Sequence, residues 1–226
     1  LIPDFPMPYT ICIDSLRIPR QYSDRVRMVG FLLEKKPEEV EGAERLREAL
    51  GADQTETLIY AALSGPRQER EPLIQMLEPI FRGFPEGYRV VMSMGDPEGG
   101  SEPTTSGSLT KVPWVEDRYQ YLEASDIVVC RGGHNTIMQS ICYRKPSIII
   151  PTPNHTEQYA NSRRASELGL AVALHQEEVN RERLLTLINE LSVDEGCHER
   201  LAEVASKGLT DGVENTVEAI SGLMQG

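Results

Sequence analysis

The chain has 226 residues, 39% of them hydrophobic, which suits one large domain or one domain with an appended piece. Lys and Arg number 23 against 35 Asp and Glu, a formal charge of −12 with no basic run, which argues against nucleic acid or an anionic membrane as a general partner. The four cysteines, Cys12, Cys130, Cys142 and Cys197, have no CxxC or metal-ligand spacing, and no apolar run nears the roughly 20 residues of a spanning helix, so a reduced cytoplasmic protein with at most peripheral membrane contact is expected.

Residues 1–36 hold Pro3, Pro6, Pro8 and Pro19 and two short β-like runs, Tyr9 to Ile13 and Arg25 to Val29, followed by the polar stretch Glu34 to Glu39. With Leu1 rather than methionine at the start, they read as the remnant of a preceding N-terminal domain and its connector. A domain spanning 37–226 is expected to follow. Its pattern predicts helix 41–50, strand 57–63, helix 69–82 and strand 89–94. The loop 95–108 contains no hydrophobic residue and is expected to be an excursion without chemistry. Strand 109–112, helix 117–124, strand 126–130, helix 134–144, strand 147–151, helix 156–168 and strand 170–174 come next, and helices 181–191, 197–206 and 213–224 close the chain. Strands separated by helices imply an α/β fold, a Rossmann-like, doubly wound and mainly parallel sheet that receives ligands at the carboxyl ends of its strands.

Three such ends carry polar motifs. Leu63-Ser64-Gly65-Pro66-Arg67 follows the first strand, where Ser64 and Gly65 can offer main-chain N–H groups to a phosphate or Pro66 can simply start the helix. The strand ending in Cys130 runs into Arg131-Gly132-Gly133-His134-Asn135-Thr136, where both glycines can take positive φ and Asn135 and Thr136 stand on the first helical turn. Arg131 can neutralise a phosphate or form an inward salt bridge with an acidic neighbour, and His134 can bond a phosphate, stack beside the site, or do neither. After the strand 147–151, His155, Gln158 and Asn161 recur every three residues beside Glu157, three hydrogen-bonding groups aimed one way at a helix start.

Together with Trp114-Val115-Glu116-Asp117, Ala124 to Arg131, Lys145-Pro146, Pro151 to Asn161 and Glu167 to Ala171, these motifs resemble the donor-binding C-terminal half of GT-B glycosyltransferases, above all glycosyltransferase family 28 with its peptidoglycan-lipid GlcNAc transferase. The resemblance covers most of residues 55–225. It implies a nucleotide diphosphate sugar as substrate, UDP-hexose or UDP-HexNAc, with transfer to an acceptor hydroxyl. By the same resemblance the Ser64-Gly65 loop meets the β-phosphate, the main chain of Val115 meets the uracil edge, Trp114 packs beside the base unless it is a core residue, and Glu157-Gln158 contacts sugar hydroxyls with His155 and Asn161 near them. Gln139 stands where the family usually has a Glu that accepts from both ribose hydroxyls, so one acceptor is exchanged for a donor.

The chain has no Asp-x-Asp pair and no His/Cys cluster in sequence, so neither metal nor cofactor is expected, and the leaving diphosphate is left to helix N-termini and loop amides. By resemblance the general base lies on an N-terminal acceptor domain, supplied in cis or by a partner chain in trans, and the chain alone should transfer no sugar. A nucleotide-sugar epimerase of GT-B architecture and a non-catalytic donor-binding subunit are the alternatives. An NAD-binding domain is disfavoured, since no GxGxxG follows a strand.

Overall fold

The computed structural model describes residues 1–100, 102–207 and 211–224; Ser101 of the expected loop, residues 208–210 and the last two residues of the expected domain lie outside it. Among the described residues, seven strands form one sheet in the order β3-β4-β2-β1-β5-β6-β7. They are β1 (Thr57–Ala62), β2 (Tyr88–Ser93), β3 (Thr104–Ser106), β4 (Leu109–Val112), β5 (Ile127–Cys130), β6 (Ser147–Ile149) and β7 (Ala171–Ala173). Every pairing is parallel except β3 with β4. The strands alternate with α3 (Arg67–Arg82), α4 (Arg118–Ala124), α5 (His134–Cys142) and α6 (Thr156–Glu167), and α7 (Arg181–Val193), α8 (Glu195–Ser206) and α9 (Gly212–Met224) follow. The predicted elements from residue 40 onward therefore form, within a few residues at each end.

Burial explains the pattern. All four residues of β5 and all three of β6 are buried, because helices cover both faces of a parallel sheet and leave no side for a polar alternation. Leu73, Leu77 and Phe81 fall one helical turn apart on α3 and are wholly buried against the sheet. Burial also pushes the thiols of Cys130 and Cys197 up to about 11 and that of Cys142 up to about 12, and all four cysteines are free.

Two expectations are corrected. The loop 95–108 contains β3, an exposed edge strand paired antiparallel with β4 through Thr104–Lys111, Thr105–Thr110 and Ser106–Leu109. An exposed strand needs main-chain pairing but no apolar face, so hydrophobic patterning gave no sign of it. The two β-like runs near the start are not strands either. Ile13 opens the one-turn α1 (Ile13–Leu16), and Arg25–Val29 contributes only an isolated bridge between Met28 and Ile2. The Asp4 carboxylate accepts from the N–H groups of Ile11 and Cys12, consuming donors that a strand ladder would use. Phe5, Ile11, Phe31 and Leu33 join the core built on the sheet, so residues 1–36 pack onto the domain that follows. The short α2 (Ala43–Ala49) lies against α4.

Candidate functional site

β1 and β5 are neighbours whose connections leave in opposite directions, β1 through α3 to β2 and β5 through α5 to β6. Open α/β sheets admit ligands at the crevice where the strand order reverses in this way. Here the crevice is lined by Tyr60, Ala62, Leu63 and Ser64 from β1 and its exit, Ser93 and Gly95 at the end of β2, Trp114 and Val115 beyond β4, Arg118 and Leu122 of α4, and Thr136 and Gln139 of α5. Ser64, Trp114, Val115, Thr136 and Gln139, expected from three separated stretches, thus meet in one cleft.

The two loops at the mouth are built for close approach. Gly65 has φ 101°, and a Cβ there would lie 2.6 Å from Nη1 of Arg131. Gly132 has φ 93° and sits against α6, where a Cβ would come within 3.1 Å of the Gln158 carbonyl oxygen. Gly133, expected to share the left-handed conformation, instead has φ −65° and caps α5. No side chain caps that helix, so its first-turn N–H groups keep their hydrogen-bonding capacity for an anion. Asn135 is exposed and Thr136 lines the cleft.

Of the two readings open for Arg131, the inward salt bridge is the one found. Its Nη2 pairs with Glu69 at 2.5 Å, Nε and Nη2 donate to Thr152 Oγ1, and Nη1 donates to the Ser64 carbonyl at 2.5 Å. The side chain is only 6% exposed. Its charge is met inside the protein, and the guanidinium joins the exits of β1, β5 and β6 instead of standing free for a phosphate.

His134 is likewise engaged. Its Nε2 lies 3.1 Å from Oδ2 of Asp4, a wholly buried carboxylate that also accepts from the N–H groups of Phe5, Ile11 and Cys12. Burial works to raise the Asp4 carboxyl, but the bonds from His134, Cys12 and Ile11 outweigh it and hold the group below its ordinary value. Burial, with Asp4 beside it, pushes the Cys12 thiol up to about 12. Asp4, Cys12 and His134 therefore form a His/Cys/Asp group that the sequence, scanned for spacing, did not reveal; their ligand atoms lie within 4.8 Å of one another. Both carboxylate oxygens already accept N–H groups, so the donor set fits a hydrogen-bonded staple between the N-terminal segment and α5 better than a metal centre.

The expected sugar readers lie outside this cleft lining. His155 is the N-cap of α6, its Nδ1 accepting from the Gln158 N–H. Gln158 is buried and accepts from the Thr152 N–H through Oε1. Asn161 is fully buried and donates to the Gly132 carbonyl, while its Oδ1 has no partner. These three hold the loops at the ends of β5 and β6, and only Glu157 is exposed.

On the other side of the cleft, Trp114 is 42% exposed and stands at the rim, which removes the core reading. Gln139 is 7% exposed as a residue and lines the cleft, and its side-chain amide makes no hydrogen bond among the described residues. An amide on the cleft wall with no protein partner is available to a polar ligand. Sequence reasoning missed Tyr60, Ser93, Gly95 and Arg118. Arg118 follows Val115 by three residues, and that spacing was the available sign. Arg67 is exposed and lies 4.0 Å from Glu71.

The family model for the glycosyltransferase family 28 C-terminal domain matches residues 51–216. An uncharacterized glycosyltransferase of Methanopyrus kandleri is 27% identical over 78% of this chain and 53% of its own length. The UDP-N-acetylglucosamine–N-acetylmuramyl-(pentapeptide) pyrophosphoryl-undecaprenol N-acetylglucosamine transferase of Caldicellulosiruptor saccharolyticus is 27% identical over 66% of this chain and 43% of its own length. The chain thus spans about half the length of these relatives. Among solved structures, the calicheamicin glycosyltransferase CalG4 superposes with a TM-score of 0.60 at 18% identity, over 75% of this chain and 43% of that one, a likeness of fold. No described helix is long and apolar enough to cross a membrane.

Proposed function

Because the chain belongs to glycosyltransferase family 28, carrying that family's C-terminal domain at residues 51–216, we propose that it is the donor-binding half of a sugar transferase. Its ligand is a nucleotide diphosphate sugar, UDP-hexose or UDP-HexNAc. The base lies against Trp114 and the main chain of Val115, the ribose meets Gln139, and the diphosphate lies between the Ser64-Gly65 loop and the first turn of α5. The observation that carries this reading is the convergence of Ser64, Trp114, Val115, Thr136 and Gln139 on one cleft at the switch point of the sheet.

The chemistry follows from where charge develops. As the anomeric C–O bond breaks, the departing diphosphate gains negative charge, and the open N–H groups of α5 with the Thr136 hydroxyl are oriented to stabilise it without a metal. Glu157, the exposed member of the group, faces the sugar, while His155, Gln158 and Asn161 hold the loops that present it. The acceptor oxygen attacks the anomeric carbon and loses its proton to a base on the other half of the relatives' length, in cis or on a partner chain. The free thiols suit a reducing, cytoplasmic setting.

Calorimetry with UDP, GDP and ADP, with and without chelator, tests the reading. UDP binding that survives chelation is the expected result; no nucleotide binding, or binding that vanishes with chelator, overturns it. A radiolabelled-donor assay then compares this chain with a protein of the relatives' full length. Acceptor-dependent turnover by this chain alone overturns the division of labour.

A further inference from the structure

Arg118 is the only charged side chain in the cleft lining, and no carboxylate shares that lining although the whole chain carries −12. The residue is exposed and stands at the start of α4, three positions beyond Val115. Among the described residues its guanidinium makes no ion pair and no hydrogen bond, whereas the guanidinium of Arg131 is buried and paired with Glu69 and that of Arg70 donates to the carbonyls of Gly65 and Met94. The Arg118 guanidinium lies 6.0 Å from the centroid of the Tyr119 ring, which supports it from one side.

Its place along the cleft follows from the elements that carry it and its neighbours. Tyr60 lies within β1, whereas Ser64 lies beyond the strand's end. The charge of Arg118 reaches the buried Tyr60 phenol, opposing the rise that burial causes there. Leu122, one turn beyond Arg118 on α4, lines the cleft as well. Arg118 opens α4 three positions after Val115, so it enters the cleft from the Trp114–Val115 side, while Ser64 enters from the exit of β1 and Thr136 from α5.

A guanidinium on the Trp114–Val115 side meets a neutral group, and the match for its fork of N–H donors is a carbonyl oxygen. We propose that Arg118 is a specificity-determining residue that selects nucleobases presenting exocyclic carbonyl oxygens, uracil above all, over adenine, whose corresponding exocyclic group is an amino donor. This rests on the nucleotide reading of the cleft. Uracil offers two carbonyl acceptors and adenine none, so loss of the guanidinium should weaken one ligand and spare the other.

The test is calorimetry of the unaltered chain, Arg118→Ala and Arg118→Lys with UDP and ADP, with thermal unfolding as the check on folding. Arg118 is exposed and unpaired, so both variants should melt with the unaltered chain. The expected result is a loss of about tenfold or more for UDP in Arg118→Ala, less than about twofold for ADP, and an intermediate UDP loss in Arg118→Lys, which keeps the charge without the fork. Equal losses for both nucleotides, or no loss for either, overturn the assignment while leaving the cleft reading in place. Failure of the unaltered chain to bind any nucleotide overturns both.

Discussion

Arg131 donates through Nη1 to the carbonyl of Ser64, fastening the end of β5 to the loop that leaves β1. The same guanidinium pairs with Glu69 on α3 and donates to Thr152 beyond β6, so one buried side chain sets the spacing of three loops around the cleft mouth. Removing it leaves the Ser64 carbonyl without that bond and Glu69 without its partner. Because Glu69 is 36% exposed, water recovers part of the loss. Arg131→Met should lower stability by about 2–4 kcal/mol in urea unfolding. Gly65→Ala should weaken nucleotide binding too, since Gly65 combines φ 101° with a 2.6 Å approach to Arg131. A variant Arg131→Met as stable as the original protein would mean that the loops hold their spacing without the strut.

Thr136 sits on the uncapped first turn of α5 with its side chain on the cleft. If its hydroxyl bonds the diphosphate, a charged acceptor makes the bond worth about 1.5–3 kcal/mol. Thr136→Val keeps the shape and removes the donor, so UDP should lose about tenfold or more in affinity while uridine loses little. Equal losses for UDP and uridine in parallel titrations would assign Thr136 to the fold alone.

Gln139 offers the cleft an acceptor oxygen and an NH₂ donor from the wall of α5. Gln139→Glu supplies two charged acceptors at the same reach, so affinity for UDP relative to 2′-deoxy-UDP should rise severalfold. A competition titration reads that ratio directly. No change in it would put position 139 beyond the ribose.

The staple between Asp4 and His134 makes stability depend on acid in a defined direction. Hydrogen bonds hold the Asp4 carboxyl below its ordinary value despite burial, so the folded state binds this proton more weakly than the unfolded chain does. The resulting stabilisation is fully present above about pH 4 and is lost as the pH falls through the lowered value. Asp4→Asn should lower stability at neutral pH by about 1–3 kcal/mol and flatten the decline of stability between pH 4 and pH 2. Urea midpoints taken across that range for both proteins check this. Parallel declines would place the acid sensitivity elsewhere.

The order of strands and helices from residue 40 onward was legible in the sequence because it rests on local periodicity. Apolar runs such as Ile127–Cys130 need burial on both faces, and spacings such as Leu73, Leu77 and Phe81 need one. Convergence at the strand exits was legible for the same reason, since a parallel sheet sends all such exits to one edge, and Ser64, Val115 and Thr136 had to arrive near one another. The edge strand β3 was not, because an exposed strand carries no apolar signature.

Only the tertiary structure decided which polar groups are free. Arg131 and Glu69 are 62 positions apart in the chain, and His134 and Asp4 are 130 apart. A residue's type states what it can bond, but its partner is set by which distant segment folds against it, and a bond made inside the protein is unavailable to a ligand. Arg131, His134, Gln158 and Asn161 were therefore indistinguishable in sequence from Thr136, Gln139 and Arg118. Folding engages the first four in internal hydrogen bonds and leaves the side chains of the last three facing the cleft.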